Sequence, residues 1–435
     1  MSSFDLVVRN ARLPDGRSGL DIGVQGGRIA AVAPNLPASG APELDAGAPE
    51  LDAGDNLVSP PFVDPHFHLD TSLSLGKPRY NESGTLFEAI KIWGEGKPAL
   101  TADILKQRAL TWCDWAVSRG VLAIRSHVDI GDPRLLAVDT LLEVRREVAP
   151  YIDLQLVAFP QDGILRTPAN RDLLVAALDR GIEVVGGIPH YEPSREEGAE
   201  SIRILCELAA ERGLRVDMHC DENDDPMSRH VDTLAAETVR CGLQGRVNGS
   251  HLASMHSMDN DYVAGLIPRM AAARLTVTCS PLVNITLQGR GDTYPKRRGL
   301  TRVPELLAAG LTVAFAHDCG VDHYYAMGSC DMLEVASMGM HATQMTGRDA
   351  MRACFDAVTV NGARIMGLEG YGIAPGCHAD FVILQARDPI EAIRLRAARL
   401  KVVRRGKVVA ENPPQTARLF LPGRPASTSF ELPTF

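Results

Sequence analysis

The sequence has no excess of positive charge: 45 lysines and arginines stand against 54 aspartates and glutamates, a formal net charge of -9 over 435 residues. Nucleic-acid polymers and anionic membranes are bound through a basic footprint, so this balance argues against both as partners. No apolar run approaches the roughly 18 residues of a membrane helix, and the opening MSSFDLVVRNAR lacks the continuous apolar segment of a secretion signal. A cytoplasmic protein is expected. There is also no CxxC pair among the nine scattered cysteines (113, 206, 220, 241, 279, 319, 330, 354 and 377). They read as reduced, mostly buried thiols, not as a disulfide framework or a zinc finger. What is present is a globular composition, 45% hydrophobic and 23% charged with mean hydropathy -0.04, which excludes extended disorder.

The first segment alternates as a small β-meander does: Leu6-Val7-Val8, Asp21 to Val24, a Gln25-Gly26-Gly27 turn, then Arg28 to Val32. The heptapeptide APELDAG at residues 41–47 is repeated without change at 48–54. A Pro, Gly and acid-containing copy in tandem reads as a tolerated loop insertion, because a core element cannot absorb an extra copy. From Leu57 to about Gly367 strands and helices alternate. Four helical stretches end in glycine directly before an apolar strand, at Gly120, Gly181, Gly213 and Gly310. With LVSPPFVDPHFH, IDLQLVAFPQ, GRVNGSHL and LTVTCSPLVN the candidate strands number eight, which predicts an α/β fold of the (β/α)₈ barrel type. Strand signals return after Gly367, at ADFVIL and KVVRRGKVVA. Residues 1–56 and 368–435 are therefore expected to form one small discontinuous β-sandwich domain, and residues 57–367 the barrel.

The predicted strands end in polar residues: His66 and His68, His127, Gln161, His190, His219 with Glu222, His251, and Asp318 beside His317. Barrel active sites lie at the C-terminal strand ends, so these groups should converge on one mouth. Alternate residues of a strand point the same way, so His66 and His68 can face one divalent ion. His219 is a candidate third ligand and Asp318 a candidate carboxylate. Nitrogen and oxygen ligands without thiolate suit Zn²⁺ or Fe²⁺ and leave a position for water. Cys220 should point away from His219 as a packed thiol. Glu222, three residues after His219, can carry a proton from water to substrate. Asp221, Asp224 and Asp225 read as solvated charges in the same loop. His251 can hydrogen-bond the water or a tetrahedral oxygen. His127 and His190 read as supporting or structural, and His230, His256, His341 and His378 as structural or surface residues. The run Lys296-Arg297-Arg298 reads as a solvated or subunit-contacting loop.

PPFVDPHFHLDTS, SGTLFEAI, VAFPQDGIL, VDMHCDENDD, SHLASMHS, PLVNITLQGRGDTYPKRRG and AFAHD occur in order along nearly the whole chain. Together they resemble the amidohydrolase superfamily and, within it, the bacterial cytosine deaminases. The resemblance implies one divalent metal ion, iron or zinc, held by His66, His68, His219 and Asp318. It implies Glu222 as proton shuttle, His251 and Asp318 as the pair that orients and deprotonates water, and Gln161 as partner of the amide-like edge of a pyrimidine. It also implies a homo-oligomer and a small-molecule heterocyclic base as partner. The implied reaction is hydrolytic deamination of a free base in a closed pocket, unlike the Cys-ligated zinc deaminases that act on flipped bases.

Two positions depart from the family pattern. Cys319 stands where the family carries a second aspartate after the metal aspartate, and Tyr324 replaces a pocket tryptophan. Losing a charge and some bulk beside the ring makes room for a substituent, so 5-methylcytosine joins cytosine as an expected substrate. Isocytosine, a triazine and a creatinine-like ring remain alternatives, since fold and metal do not fix the substrate. A non-catalytic metal- or ligand-binding barrel is the alternative from another class.

Overall fold

In the computed structural model, which describes residues 4–37, 50–428 and 430, both ends of the chain build sheets beside a central barrel. The N-terminal part supplies β1 (Leu6–Ala11), β2 (Leu20–Gln25), β3 (Arg28–Ala33), β4 (Glu50–Asp52) and β5 (Leu57–Ser59). The barrel is β6 (Phe62–Phe67), β7 (Val121–Asp129), β8 (Asp153–Phe159), β9 (Val184–Gly187), β10 (Arg215–Cys220), β11 (Val247–His251), β12 (Thr276–Cys279) and β13 (Thr312–Phe315). After it come β14 (Phe381–Leu384), β15 (Arg399–Arg404) and β16 (Lys407–Glu411).

The eight barrel strands are hydrogen-bonded in sequence order and all pair in parallel. The ring closes where Asp318 N–H donates to the His66 carbonyl and His68 N–H donates to the Asp318 carbonyl, each at 2.9 Å. Closure thus runs through three of the candidate metal ligands. Helices cross over between strands as the glycine signals predict. The helix Arg195–Arg212 starts at Ser194, whose side chain accepts from Glu197 N–H, and ends at Gly213 with φ +67°, a left-handed position that costs a residue with Cβ more than glycine. β7 is buried over its whole length. Its apolar residues each contribute about 1.5–3 kcal/mol on burial, and among its polar ones Arg125, Ser126 and Asp129 are hydrogen-bonded inside the fold.

The flanking strands form two four-stranded sheets, ordered β3-β2-β1-β4 and β16-β15-β14-β5. They share a core that includes Leu6, Ile22, Val58, Phe381, Ile383 and Val403. The fold is a (β/α)₈ barrel with a β-sandwich drawn from both termini. Arg404 ties the two together, reaching Asp380 at 2.8 Å in the sandwich and Asp153 at 2.7 Å in the barrel. Among the described residues no helix is long and apolar enough to cross a membrane. All nine cysteines are free and seven are buried.

Two expectations are corrected. The single strand read in LVSPPFVDPHFH is two: Leu57–Ser59 pairs antiparallel with β14, and only after Pro60-Pro61, which lack ladder N–H groups, does β6 enter the barrel. The second APELDAG copy is not a plain loop. Its Glu50–Asp52 is the edge strand β4, parallel to β1 and anchored by Arg9–Glu50 and by Asn10–Asp52 at 2.9 Å. The first copy lies outside the described residues.

Candidate active site

Most residues singled out from the strand ends stand at the C-terminal side of the barrel; His317 instead packs its ring on Trp112 and Phe67. His66 and His68 flank Phe67 at the end of β6, His219 is on β10, His251 ends β11, and Asp318 follows β13. Asp318 (φ +71°) and His251 (φ +72°) both hold left-handed backbone. For non-glycine residues such conformations cost about 1–3 kcal/mol each and gather where function over-determines the geometry.

Burial and mutual approach mark overlapping clusters that could hold a cation, among them His66–His68–Asp318 and His66–His219–His251. His66 Nε2 and His68 Nε2 lie 3.5 and 3.6 Å from Asp318 Oδ1, and His68 Nε2 is 3.0 Å from His219 Nε2. His66 Nε2, His219 Nδ1 and Asp318 Oδ2 are buried and have no hydrogen-bond partner. Orphaned buried polar atoms are costly, and a shared divalent ion answers several of them at once. Burial pushes His68 down to about 3 and holds His219 well below its ordinary value, so both are neutral, as ligating imidazoles must be. Burial alone would raise Asp318, but His251, His66 and His68 outweigh it and keep that carboxylate ionised. The donor set of imidazoles and one carboxylate suits zinc or iron.

Glu222 and His251 border this cluster. His251 Nδ1 is 3.6 Å from Glu222 Oε1 and 3.8 Å from Asp318 Oδ2. Burial, with Asp318 adding like charge, pushes the Glu222 carboxyl well above the usual carboxylate range; a bound cation opposes that rise. Asn284 Nδ2 meets His251 Nδ1 at 3.1 Å, while Asn284 Oδ1 accepts from Ser280 N–H at 3.2 Å. The amide nitrogen therefore donates to Nδ1, and the proton of neutral His251 sits on Nε2. Beside these groups a cavity is lined by the polar residues His68, His219, Glu222, Asp318, Gln161 and Tyr324 together with Leu86, Ile188, Val283, Leu287 and Cys319; the Cys319 thiol lies 3.5 Å from Asp318 Oδ1. The Tyr324 hydroxyl donates to Gln161 Oε1 at 3.2 Å. Burial pushes the Cys319 thiol well above its ordinary value, so it stays neutral and packs on Val283 and Leu287.

The amidohydrolase family profile matches residues 50–410. This chain belongs to the amidohydrolase family. The solved 5-methylcytosine deaminase of Klebsiella pneumoniae, bound to 5-fluorocytosine, is similar to it with TM-score 0.90 and 41% identity, covering 95% of this chain and 99% of that one. Among curated proteins, N-isopropylammelide isopropyl amidohydrolase of Pseudomonas sp. strain ADP is 29% identical, covering 94% of this chain and 98% of its own. Pterin deaminase of Rhizobium rhizogenes is 30% identical over 92% of this chain and 90% of its own.

Several parts of this amidohydrolase site escape a reading of strand ends. Asn284, Leu86, Ile188, Val283 and Leu287 come from helices and loops, where an apolar residue carries no sign that it faces a pocket. Asp221 corrects an expectation: it is fully buried, not solvated. With φ +54° it turns back to accept from His230 and Val231 N–H and from Ser228 Oγ, and it pairs with His230 Nδ1 at 2.9 Å. Those bonds outweigh the burial that would otherwise raise its carboxyl, and they fix the loop that carries Glu222. Asp224 accepts from Gly289 N–H and pairs with His256 at 3.0 Å, tying that loop to the one after β12. Arg297 is used internally, on Asp292 and the Asp224 carbonyl. His127 lies 4.0 Å from His66 in a tilted ring contact, buried, with both ring nitrogens unpartnered; His190 is half-buried, its ring nitrogens likewise without a partner.

Proposed function

We propose that this amidohydrolase hydrolytically deaminates a free pyrimidine base, accepting 5-methylcytosine as well as cytosine and yielding thymine or uracil plus ammonia. The observation that carries the reading is one cavity lined by Glu222 and Asp318, which lie 3.6 and 3.8 Å from His251 behind them, and by the neutral thiol of Cys319 with the apolar Val283 and Leu287.

His66, His68, His219 and Asp318 would hold one divalent ion, iron or zinc; when bound it acts as a Lewis acid and brings water ionisation toward neutral pH. The protein residues supply the remaining chemistry. Asp318 accepts the proton of the attacking water, with the His251 Nε2–H donor orienting its oxygen. Glu222 delivers a proton to the ring nitrogen beside the amine-bearing carbon, so electron density moves there as the oxygen adds. Asp318 then passes the proton it took from water to the amine, which leaves as ammonia with the C–N electron pair, while the added hydroxyl gives its proton to Glu222 and its oxygen becomes the carbonyl, so both carboxyls return to their starting states. Gln161, its Oε1 taken by Tyr324, presents Nε2 as a donor to the base carbonyl. Cys319, Val283 and Leu287 receive the face bearing the 5-substituent.

Ammonia release by the metal-loaded enzyme from cytosine, 5-methylcytosine, isocytosine, aminotriazines and a pterin tests this. The two cytosines should lead in kcat/KM, and chelation should abolish turnover until metal is restored. A lead by any other ring overturns the substrate assignment. The isopropylammelide relative, covered over 98% of its length, supports amine removal from a triazine as the second reading, and the same panel decides between them.

A further inference from the structure

Beneath the mouth the barrel interior holds a charged network that the proposed reaction does not use. Arg125 on β7 and Asp217 on β10 are buried and paired, Nη1 to Oδ2, at 2.7 Å. Arg125 is held elsewhere by Gln155 Oε1 at 2.7 Å and the Ile365 carbonyl at 3.0 Å. Asp217 Oδ1 lies 2.7 Å from Ser250 Oγ and 3.0 Å from Asn248 Nδ2. Ser250 Oγ lies 2.8 Å from His66 Nδ1.

Every proton in this chain can be assigned. A hydroxyl has one proton and two lone pairs. Asp217, a carboxylate facing an arginine, only accepts, so the Ser250 proton points at Oδ1. Asn248 Nδ2 only donates, and its two protons serve Ser250 Oγ and Asp217 Oδ1, each at 3.0 Å, and Thr278 Oγ1 at 3.1 Å; its orientation is fixed because the Asp217 carboxylate oxygen it faces can only accept. One lone pair of Ser250 remains for His66, so His66 Nδ1 must carry a proton. In the neutral ring Nε2 is then bare, and that is the buried atom without a protein partner beside Asp318.

We infer that Ser250 and Asp217 are positioning residues that lock His66 in the Nδ1–H tautomer and keep its Nε2 lone pair free for a metal ion. This deepens the reading of His66 as a ligand, but the tautomer belongs to the metal-free chain, so the two can fail separately. Arg125 makes the substitution Asp217→Asn informative. It still demands an acceptor, so the new amide oxygen faces Arg125 and the amide nitrogen faces Ser250. The Ser250 proton then turns to His66 Nδ1 and drives the ring proton to Nε2, the tautomer that cannot ligate through that atom.

Imidazole nitrogen NMR of the metal-free full chain, with the His66 signal assigned by its loss in His66→Gln, reads the tautomer directly. Wild type should show Nδ1–H and Asp217→Asn should show Nε2–H. Zinc affinity by chelator competition should fall about 10- to 100-fold in Asp217→Asn and in Ser250→Ala. If Asp217→Asn does not fold, Ser250→Ala carries the affinity test alone. A wild-type His66 protonated on Nε2, or a folded Ser250→Ala whose zinc affinity stays within about two-fold of wild type, overturns the inference. Nδ1–H in a wild type that binds no divalent ion would sustain the lock and remove the ligand reading instead.

Discussion

The polar and the apolar residues around the candidate cavity follow opposite rules. On the polar side, His66 Nε2, His219 Nδ1, His251 Nε2 and Asp318 Oδ2 are buried without protein partners, at about 1–3 kcal/mol for each group left unsatisfied. On the other, Val283, Leu287 and Cys319 close on one another as ordinary core, each apolar side chain stabilising by about 1.5–3 kcal/mol. The polar residues leave buried atoms that the proposed cation, water and base would complete; the apolar ones are complete already and would act by shape. Chemistry and ring selectivity should therefore separate under mutation.

The largest effect is expected from Glu222→Gln, which keeps the shape of the polar wall and removes only the transferable proton. Steady-state turnover should fall about 10²- to 10⁴-fold, while bound metal, measured by elemental analysis, stays at the wild-type level. Because Glu222 must be protonated to deliver its proton, the wild-type rate should drop as pH rises through the value of its carboxyl, which burial and Asp318 raise and a bound cation lowers. The variant's residual rate should lack that limb. Turnover within ten-fold of wild type would take Glu222 out of the mechanism.

Next in size is Cys319→Asp, which carries the polar rule into the apolar set. The new carboxylate stands directly after Asp318, in contact with Val283 and Leu287, and occupies the space proposed for a 5-methyl group. The kcat/KM ratio of 5-methylcytosine to cytosine should fall about 10- to 200-fold, the worth of one or two pocket contacts. An unchanged ratio would show that the apolar wall does not read the substituent.

What could be read in the sequence follows the same division. The eight strand ends were legible because helix-capping glycines and apolar runs mark them, and most polar residues that interrupt a run at its end lie at the mouth. The HxH pair, His219 and Asp318 stand out by chemistry alone. Asp221 did not, since an acid in an acidic loop carries no sign that its backbone turns left-handed and buries it against His230. Leu86 and Ile188 were equally silent, because an apolar residue outside a periodic element looks the same whether it packs a core or lines a pocket. Ser250 and Asp217 lie within strands whose burial can be read from the sequence. Their bond to His66 depends on which strands adjoin across the barrel, and that is a property of the closed fold.

The smallest effect tests whether the walls are in fact separate. Tyr324 touches both: its hydroxyl donates to Gln161 Oε1 at 3.2 Å, its ring lies 6.5 Å from that of His68 in a near-parallel stack, and it packs against the Cys319 cluster. Tyr324→Phe removes the hydroxyl alone. If that hydroxyl serves only to aim the Gln161 amide at the base, the loss is one neutral hydrogen bond, about 0.5–1.5 kcal/mol. It should appear as a KM about 2- to 10-fold higher with kcat nearly unchanged, the signature of binding made equally in ground and transition states. A fall in kcat at constant KM would mean that Tyr324 acts through His68 on the reacting groups, and the selectivity wall would then be part of the catalytic one.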